Sequence, residues 1–204
     1  HPLGDQILDL VFRQLAAWRA RGLTLRPITV NVSPLQLERA NLTQTIRRIA
    51  SHYDVDLQLL HLEVTETAVM QEGGRHVASL QTLRELGCKI LIDDFGIGYS
   101  SLAQLKNLPL DRIKIDRSFV RDMTSDHDDM TLIQGILAMA HGLRLEVIAE
   151  GIENEAQRQA LWRMGCDYGQ GYLFAPPLPL AAFAERARTL SGHLRAGQTP
   201  GSWQ

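Results

Sequence analysis

The sequence is short of cysteine, of net charge and of long unbroken apolar runs, and each shortage removes a class of protein. Cys88 and Cys166 are the only two cysteines among 204 residues. They form no Cys-x-x-Cys pair and no zinc spacing, so they read as reduced thiols of a cytosolic protein. The formal net charge of −2 argues against a nucleic-acid polymer or an anionic membrane as the main partner. A small anionic ligand remains compatible, because local charge and bound metal govern that case. Charges interrupt every apolar stretch well before membrane-spanning length, and no signal peptide is visible. A larger parent protein can still be membrane-anchored. The chain opens at His1-Pro2-Leu3-Gly4 without methionine, as a fragment would. Residues 191–204, rich in Gly, Ser, Thr and Pro, are expected to form a loose tail. That leaves 1–190 as one domain, with 45% hydrophobic residues to build its core.

What is present is an alternation of short apolar runs and amphipathic segments. Helical spacing predicts a helix over Gln6–Arg21, with Leu8, Val11, Phe12, Leu15 and Trp18 on one face and Gly22 as its stop. Similar patterns mark Leu42–Tyr53, Arg75–Leu86 and Met130–His141. Asn154 reads as the N-cap of a helix ending near Met164-Gly165, and a last helix starts near Leu180 after Pro179. Trp18 and Trp162 are expected in the core. The strand candidates are Ile28–Val32, Leu60–Val64, Lys89–Asp93, Arg112–Ile115, Glu146–Ala149 and a region around Tyr168–Phe174. They are short and continuously apolar, as parallel strands covered on both faces should be. Strand then helix, repeated, is α/β grammar. A doubly wound open sheet is the rival to a TIM-like (β/α)8 barrel.

Polar residues at the strand ends favour the barrel. Asn31, Glu63, Asp93-Asp94, Lys114 and Glu150 each interrupt or finish an apolar run. A buried carboxylate is costly unless it is paired or metal-bound. Several in register at the carboxyl ends of successive strands suggest a shared site, which is where barrel enzymes carry out catalysis. Carboxylates with an amide oxygen are hard ligands and favour Mg²⁺ or Mn²⁺ over Zn²⁺. Two such ions, about 3.5–4 Å apart and sharing one aspartate, suit in-line attack of water on a phosphodiester. Lys114 can hold the attacking water or steady phosphoryl charge, and Glu150 can be base or ligand.

Taken singly, each residue has a plainer reading. Asn31 fits a turn or cap, Glu63 and Glu66 fit surface ion pairs, and Lys114 fits a snorkelling lysine. Asp93-Asp94-Phe95-Gly96 invites a kinase reading, but no Gly-rich loop precedes it and no His-Arg-Asp loop is present. Gly96-Ile97-Gly98 lacks the third glycine of a dinucleotide fingerprint. Asp126-His127-Asp128-Asp129 fits a solvated loop with an N-cap. His52, His61, His76, His141 and His193 show no ligand spacing. The joint placement at strand ends outweighs these separate readings.

Val30-Asn31-Val32-Ser33, Leu62-Glu63-Val64-Thr65-Glu66, Ile92-Asp93-Asp94-Phe95-Gly96, Ile113-Lys114-Ile115-Asp116, Ile148-Ala149-Glu150-Gly151-Ile152-Glu153 and Gly169-Gln170-Gly171-Tyr172 together resemble the EAL domain. The match runs in order from about Leu3 to Phe183. The resemblance implies a TIM-like (β/α)8 barrel that hydrolyses cyclic di-GMP to linear pGpG with Mg²⁺ or Mn²⁺ in bacterial signalling, with Ca²⁺ inhibitory. It implies that Asn31, Glu63 and Asp93 hold one ion. Asp93, Asp94 and Glu150 hold the second, Glu150 doubling as general base, and Lys114 contacts the catalytic water. Glu66 would anchor the Asp-Asp-Phe-Gly loop, with Gln170 and Glu153 in support. Homodimers and flanking sensor or GGDEF-type domains are common in the family.

Three departures stand out. The family's Glu-Ala-Leu motif, with its Glu ligand and a nearby Arg, would lie on a strand ahead of the first helix, so an N-terminal strand is expected outside this chain. Ile97 stands where the family usually has a small or hydroxyl residue, and Pro176 where many members carry a basic one. Beside active hydrolysis, the alternatives are an inactive cyclic di-GMP receptor and a scaffold with a relic site. Retention of Asn31, Glu63, Asp93, Asp94, Lys114 and Glu150 argues against both.

Overall fold

The structure is a computed structural model, and it describes residues 2–39, 41–70, 77–98 and 102–186. The expected loose tail, 191–204, lies outside the described residues, as do His76 and His193. The elements in chain order are α1 (Pro2–Ala20), β1 (Ile28–Asn31), α2 (Pro34–Leu37), α3 (Leu42–Tyr53), β2 (Leu60–Thr65), α4 (Glu66–Met70), α5 (Val77–Glu85) and β3 (Lys89–Phe95). They continue as α6 (Leu102–Leu105), β4 (Arg112–Ile115), α7 (Arg117–Asp122), α8 (His127–Gly142), β5 (Glu146–Ala149), α9 (Glu155–Arg163) and β6 (Tyr168–Gly169). A 3₁₀ turn, Leu57–Leu59, leads into β2, and residues 180–186 are helical. The six strands follow one another in chain order, β1 to β6. The chain divides into two compact units, 1–113 and 114–204, the boundary falling inside β4.

In the first unit, α1 buries Leu8, Phe12, Leu15 and Trp18, a set with helical spacing. It packs on α3, which buries Leu42, Ile46, Ile49 and Ala50. The Tyr53 hydroxyl donates to Asp9 Oδ1 at 3.0 Å, and Arg19 donates to the carbonyls of Tyr53 and Asp54. Each fully buried aliphatic or aromatic side chain here contributes about 1.5–3 kcal/mol. Strands β1, β2 and β3 form parallel ladders, pairing Asn31 with Glu63 and Thr65 with Asp93. Leu60, Leu62 and Val64 on one face of β2 are buried, and so are His61 and Glu63 on the other. Both faces are therefore covered, as parallel pairing requires.

In the second unit, α8 starts at N-cap Asp126, whose Oδ1 accepts from Asp128 N–H at 2.8 Å. The Asp126–Asp129 run thus serves helix initiation. Helix α8 packs on β5 and α7. The β5–β6 ladder is short: Ile148 pairs with Tyr168 and Ala149 with Gly169. Two expectations are corrected. The strand expected around Tyr168–Phe174 ends at Gly169, because the next residues turn, with Phe174 N–H donating to Gly171 O at 3.1 Å. Trp162 is 57% exposed: α9 buries Gln157 and Leu161, and Trp162 lies about 100° round the helix from Leu161.

Candidate functional site

Strand register assembles the first unit's share. Side chains of paired residues in a parallel ladder point to the same face, and the face repeats every second residue. Asn31 pairs with Glu63, Glu63 with Leu91, and Asp93 lies two residues beyond Leu91. Asn31, Glu63 and Asp93 therefore share one face of adjoining strands. Glu63 is 6% exposed, Asp93 is half-buried and Asn31 is exposed at the strand end. The plain surface reading of Glu63 and Glu66 does not hold, since both are buried.

Asp94 has φ +55° inside β3, and Gly96 follows at φ +101°. A left-handed aspartate within a strand is locally unfavourable and occurs where the surroundings over-determine it, often at functional sites. Glu66 Oε2 accepts the Gly96 N–H at 3.1 Å. A Cβ on Gly98 would come within 2.6 Å of Glu66 Oε1. Glu66 thus holds the turn that follows Asp93-Asp94, and Ile97 points outward at 62% exposure.

The second unit contributes an ion pair between a buried lysine and a half-buried glutamate. Lys114, 6% exposed, places Nζ 2.6 Å from Glu150 Oε1. The Glu150 N–H donates to Ile115 O at 3.1 Å, which seats the residue just past β5 beside β4. Gln170 follows β6 and uses its backbone twice, donating to Ala149 O at 2.8 Å and accepting from Ile152 N–H at 3.0 Å. Glu153, Gln170 and Pro176 are exposed.

Sequence reasoning missed several residues that hold the strands and loops carrying these groups. Gln157 is buried and hydrogen-bonded on both ends of its amide; the Asn154-x-x-Gln157 spacing of a capping box was the available signal. Asp111 and Asp167 each accept the N–H of the second residue of a strand, Ile90 at 3.0 Å and Val147 at 2.8 Å. Nothing in a single sequence marks those two.

In the first unit, Asn31, Glu63, Asp93 and Asp94 offer carboxylate and amide oxygens without sulfur or imidazole, the chemistry that suits a hard divalent cation. Cysteine chemistry has no support here, since burial pushes both Cys88 and Cys166 up to about 12, leaving them as protonated core thiols.

Parallel strands with intervening helices and acidic residues at strand ends define an α/β protein of barrel type with a carboxylate-rich site. The chain belongs to the EAL domain family, which it matches over residues 1–177, and it has that family's TIM-like fold. It is 42% identical over 186 residues to the cyclic di-GMP phosphodiesterase NbdA of Pseudomonas aeruginosa, covering 91% of this chain and 24% of that protein. It is 36% identical over 182 residues to the cyclic di-GMP phosphodiesterase PdeR of Escherichia coli, covering 89% and 27%. The chain thus spans about a quarter of the length of the curated relatives it matches. Among solved structures, the PaMucR phosphodiesterase in complex with c-di-GMP aligns with TM-score 0.84 at 38% identity, covering 89% of this chain and 74% of that one. The EAL domain of Mycobacterium smegmatis DcpA aligns with TM-score 0.86 at 33% identity, covering 92% and 84%. No described helix is long and apolar enough to cross a membrane.

Proposed function

We propose that this domain hydrolyses cyclic di-GMP to linear pGpG, using two divalent cations, Mg²⁺ or Mn²⁺. The observation that carries the reading is the register that sets Asn31, Glu63 and Asp93 on one face of β1, β2 and β3. In this reading Asn31, Glu63 and Asp93 hold one ion, and Asp93, Asp94 and Glu150 hold the other. When bound, the ions supply a nucleophilic water at neutral pH and offset charge on the phosphodiester.

The protein's own groups do the rest. Lys114 Nζ, a donor-only ammonium, holds the attacking water in place or steadies developing phosphoryl charge. Glu150 Oε1, 2.6 Å from that ammonium, takes the water's proton. Glu66 keeps the turn after Asp94 in place through the Gly96 N–H, so the aspartates arrive pre-positioned. Names of relatives at 36–42% identity support the substrate. Their greater length supports flanking sensor or cyclase domains.

The test is incubation with cyclic di-GMP and Mg²⁺, then Mn²⁺, following pGpG by chromatography beside a binding titration. Turnover with either ion, and inhibition by Ca²⁺, is expected. Binding without product would make the domain a receptor, and absence of binding would sink both readings.

A further inference from the structure

We propose that Gln157, seven residues beyond Glu150, is a positioning residue that keeps the Glu150 carboxylate opposite Lys114. The inference rests on the proposed role of that pair in hydrolysis.

The β5–β6 ladder ends at the Ala149–Gly169 pair, short of the segment beyond β5. Glu150 leaves β5 into a turn at Gly151, whose φ is +71°. A Cβ on Gly151 would come within 2.5 Å of Arg117 Cβ, so the turn lies directly on the first turn of α7 and only glycine fits. Ile152 is buried behind it, donating its N–H to Gln170 O and accepting from Leu173 N–H, each at 3.0 Å.

From there one side chain makes four hydrogen bonds. Gln157 Oε1 accepts from Glu153 N–H at 2.8 Å and Asn154 N–H at 3.1 Å. Gln157 Nε2 donates to Val120 O at 3.1 Å and Arg121 O at 3.0 Å. The amide therefore makes two bonds as acceptor and two as donor, at 2% exposure, using its principal capacity. Its donor half grips α7, the helix that directly follows the strand carrying Lys114. Its acceptor half grips the loop after Glu150. Gln157 thus ties together the segments behind the two partners of the 2.6 Å ion pair.

A glutamine at this position of a helix N-terminus also has an ordinary duty. With N-cap Asn154, whose Oδ1 accepts from Gln157 N–H at 3.0 Å, it completes a capping box. Capping uses only the acceptor half. The donor half, aimed at α7, is what the positioning role needs, and the two roles separate chemically. Gln157→Glu keeps the acceptor and suits the helix N-terminus electrostatically. It removes both donors and turns a carboxylate toward two carbonyl oxygens.

The experiment compares wild type, Gln157→Glu and Asn154→Ala for Mn²⁺ affinity by EPR titration, for kcat and KM on cyclic di-GMP, and for Tm. Residues that orient metal-site groups typically contribute 10–100-fold to affinity or activity. Gln157→Glu is expected to lower kcat and weaken Mn²⁺ binding by about 10–100-fold, with KM within about two-fold. Asn154→Ala, which disturbs only the cap, should lower Tm and leave kcat and Mn²⁺ affinity near wild type. Wild-type kcat and Mn²⁺ affinity in Gln157→Glu, or equal losses in both variants, would overturn the inference. A wild type that neither binds Mn²⁺ nor cleaves the substrate would instead overturn the proposed function. If Gln157→Glu does not fold, Gln157→Asn, one methylene too short to grip both sides, replaces it with the same expectations.

Discussion

The two units hold their share of the site by different means. In the first, Glu63 and Asp93 sit within consecutive parallel ladders running from Ile28–Leu60 to Thr65–Asp93, so backbone pairing fixes where they stand. In the second, β5 and β6 share two pairs. Beyond its own N–H bond to Ile115 O, the Glu150 region is held by Gly151 against Arg117, by Gly171 against Ile152 and by the four bonds of Gln157. A ladder distributes its hold over many similar bonds, so one side-chain change leaves the position intact. A short ladder concentrates the hold in a few residues, and each of those becomes sensitive.

That difference orders the expected outcomes. The largest is Asp93→Asn, which removes the proposed shared ligand. Turnover should fall by more than the ~100-fold typical of outer-shell losses, while the Tm stays near wild type because the ladder is untouched. A turnover within about ten-fold of wild type would refute the ligand assignment. Next is Gly171→Ala: the new Cβ would lie 2.1 Å from Ile152 O, an overpacking that costs about 1–3 kcal/mol, readable as a shifted urea midpoint. It should also depress Mn²⁺ affinity, since Ile152 lies just past Glu150.

Asp111→Ala and Asp167→Ala compare the units most directly. Asp111 joins Arg84 to the Ile90 N–H, and Asp167 joins His141 to the Val147 N–H. Each loss leaves a strand N–H unpaired and should cost about 1–3 kcal/mol. Only Asp167→Ala, on the short ladder, should also weaken Mn²⁺ binding; equal effects on metal would erase the distinction between units.

A smaller effect concerns pH. Burial raises Cys88, in the first unit, and Cys166, in the second, to about 12, against about 8.5 when unfolded. Above that lower value the unfolded chain loses protons that the folded one keeps. The contribution to stability is therefore present below about pH 8.5 and is lost as pH rises toward 12. Urea midpoints across roughly pH 8–11 should fall less steeply in the Cys88→Ala, Cys166→Ala double variant.

The smallest expected change is Glu155→Gln. Hydrogen bonds from Arg158, then from Gln159, hold this exposed carboxylate down at about 2. Its stabilisation is present above about pH 4.3 and is lost as pH falls toward 2. At about pH 7 the variant should be indistinguishable from wild type by urea melt, because an exposed pair contributes little. The flatter profile should emerge only below about pH 4.

The parts of the fold that could be read from the sequence are those governed by periodicity. Leu42–Tyr53 emerges with the expected bounds, and so do Arg112–Ile115 and Glu146–Ala149. Helix α1 starts earlier than its apolar pattern because the pattern reports burial rather than backbone. The short helices α2, α4, α6 and α7 carry too few residues to show a period. Tyr168–Phe174 has strand-like composition, yet contacts of Gly171 and Leu173 with Ile152 turn it away.

The sequence by itself determined the alternation of strands and helices, the family, and the identity of the polar residues at strand ends, because these depend on residue type and local spacing. Only the tertiary structure decided that Asn31, Glu63 and Asp93 share a face, that Lys114 meets Glu150, and that Gln157 grips a helix 36 and 37 residues away in sequence. Those facts depend on register and on which backbone groups lie within hydrogen-bond reach after the chain has returned on itself. No local pattern encodes either quantity.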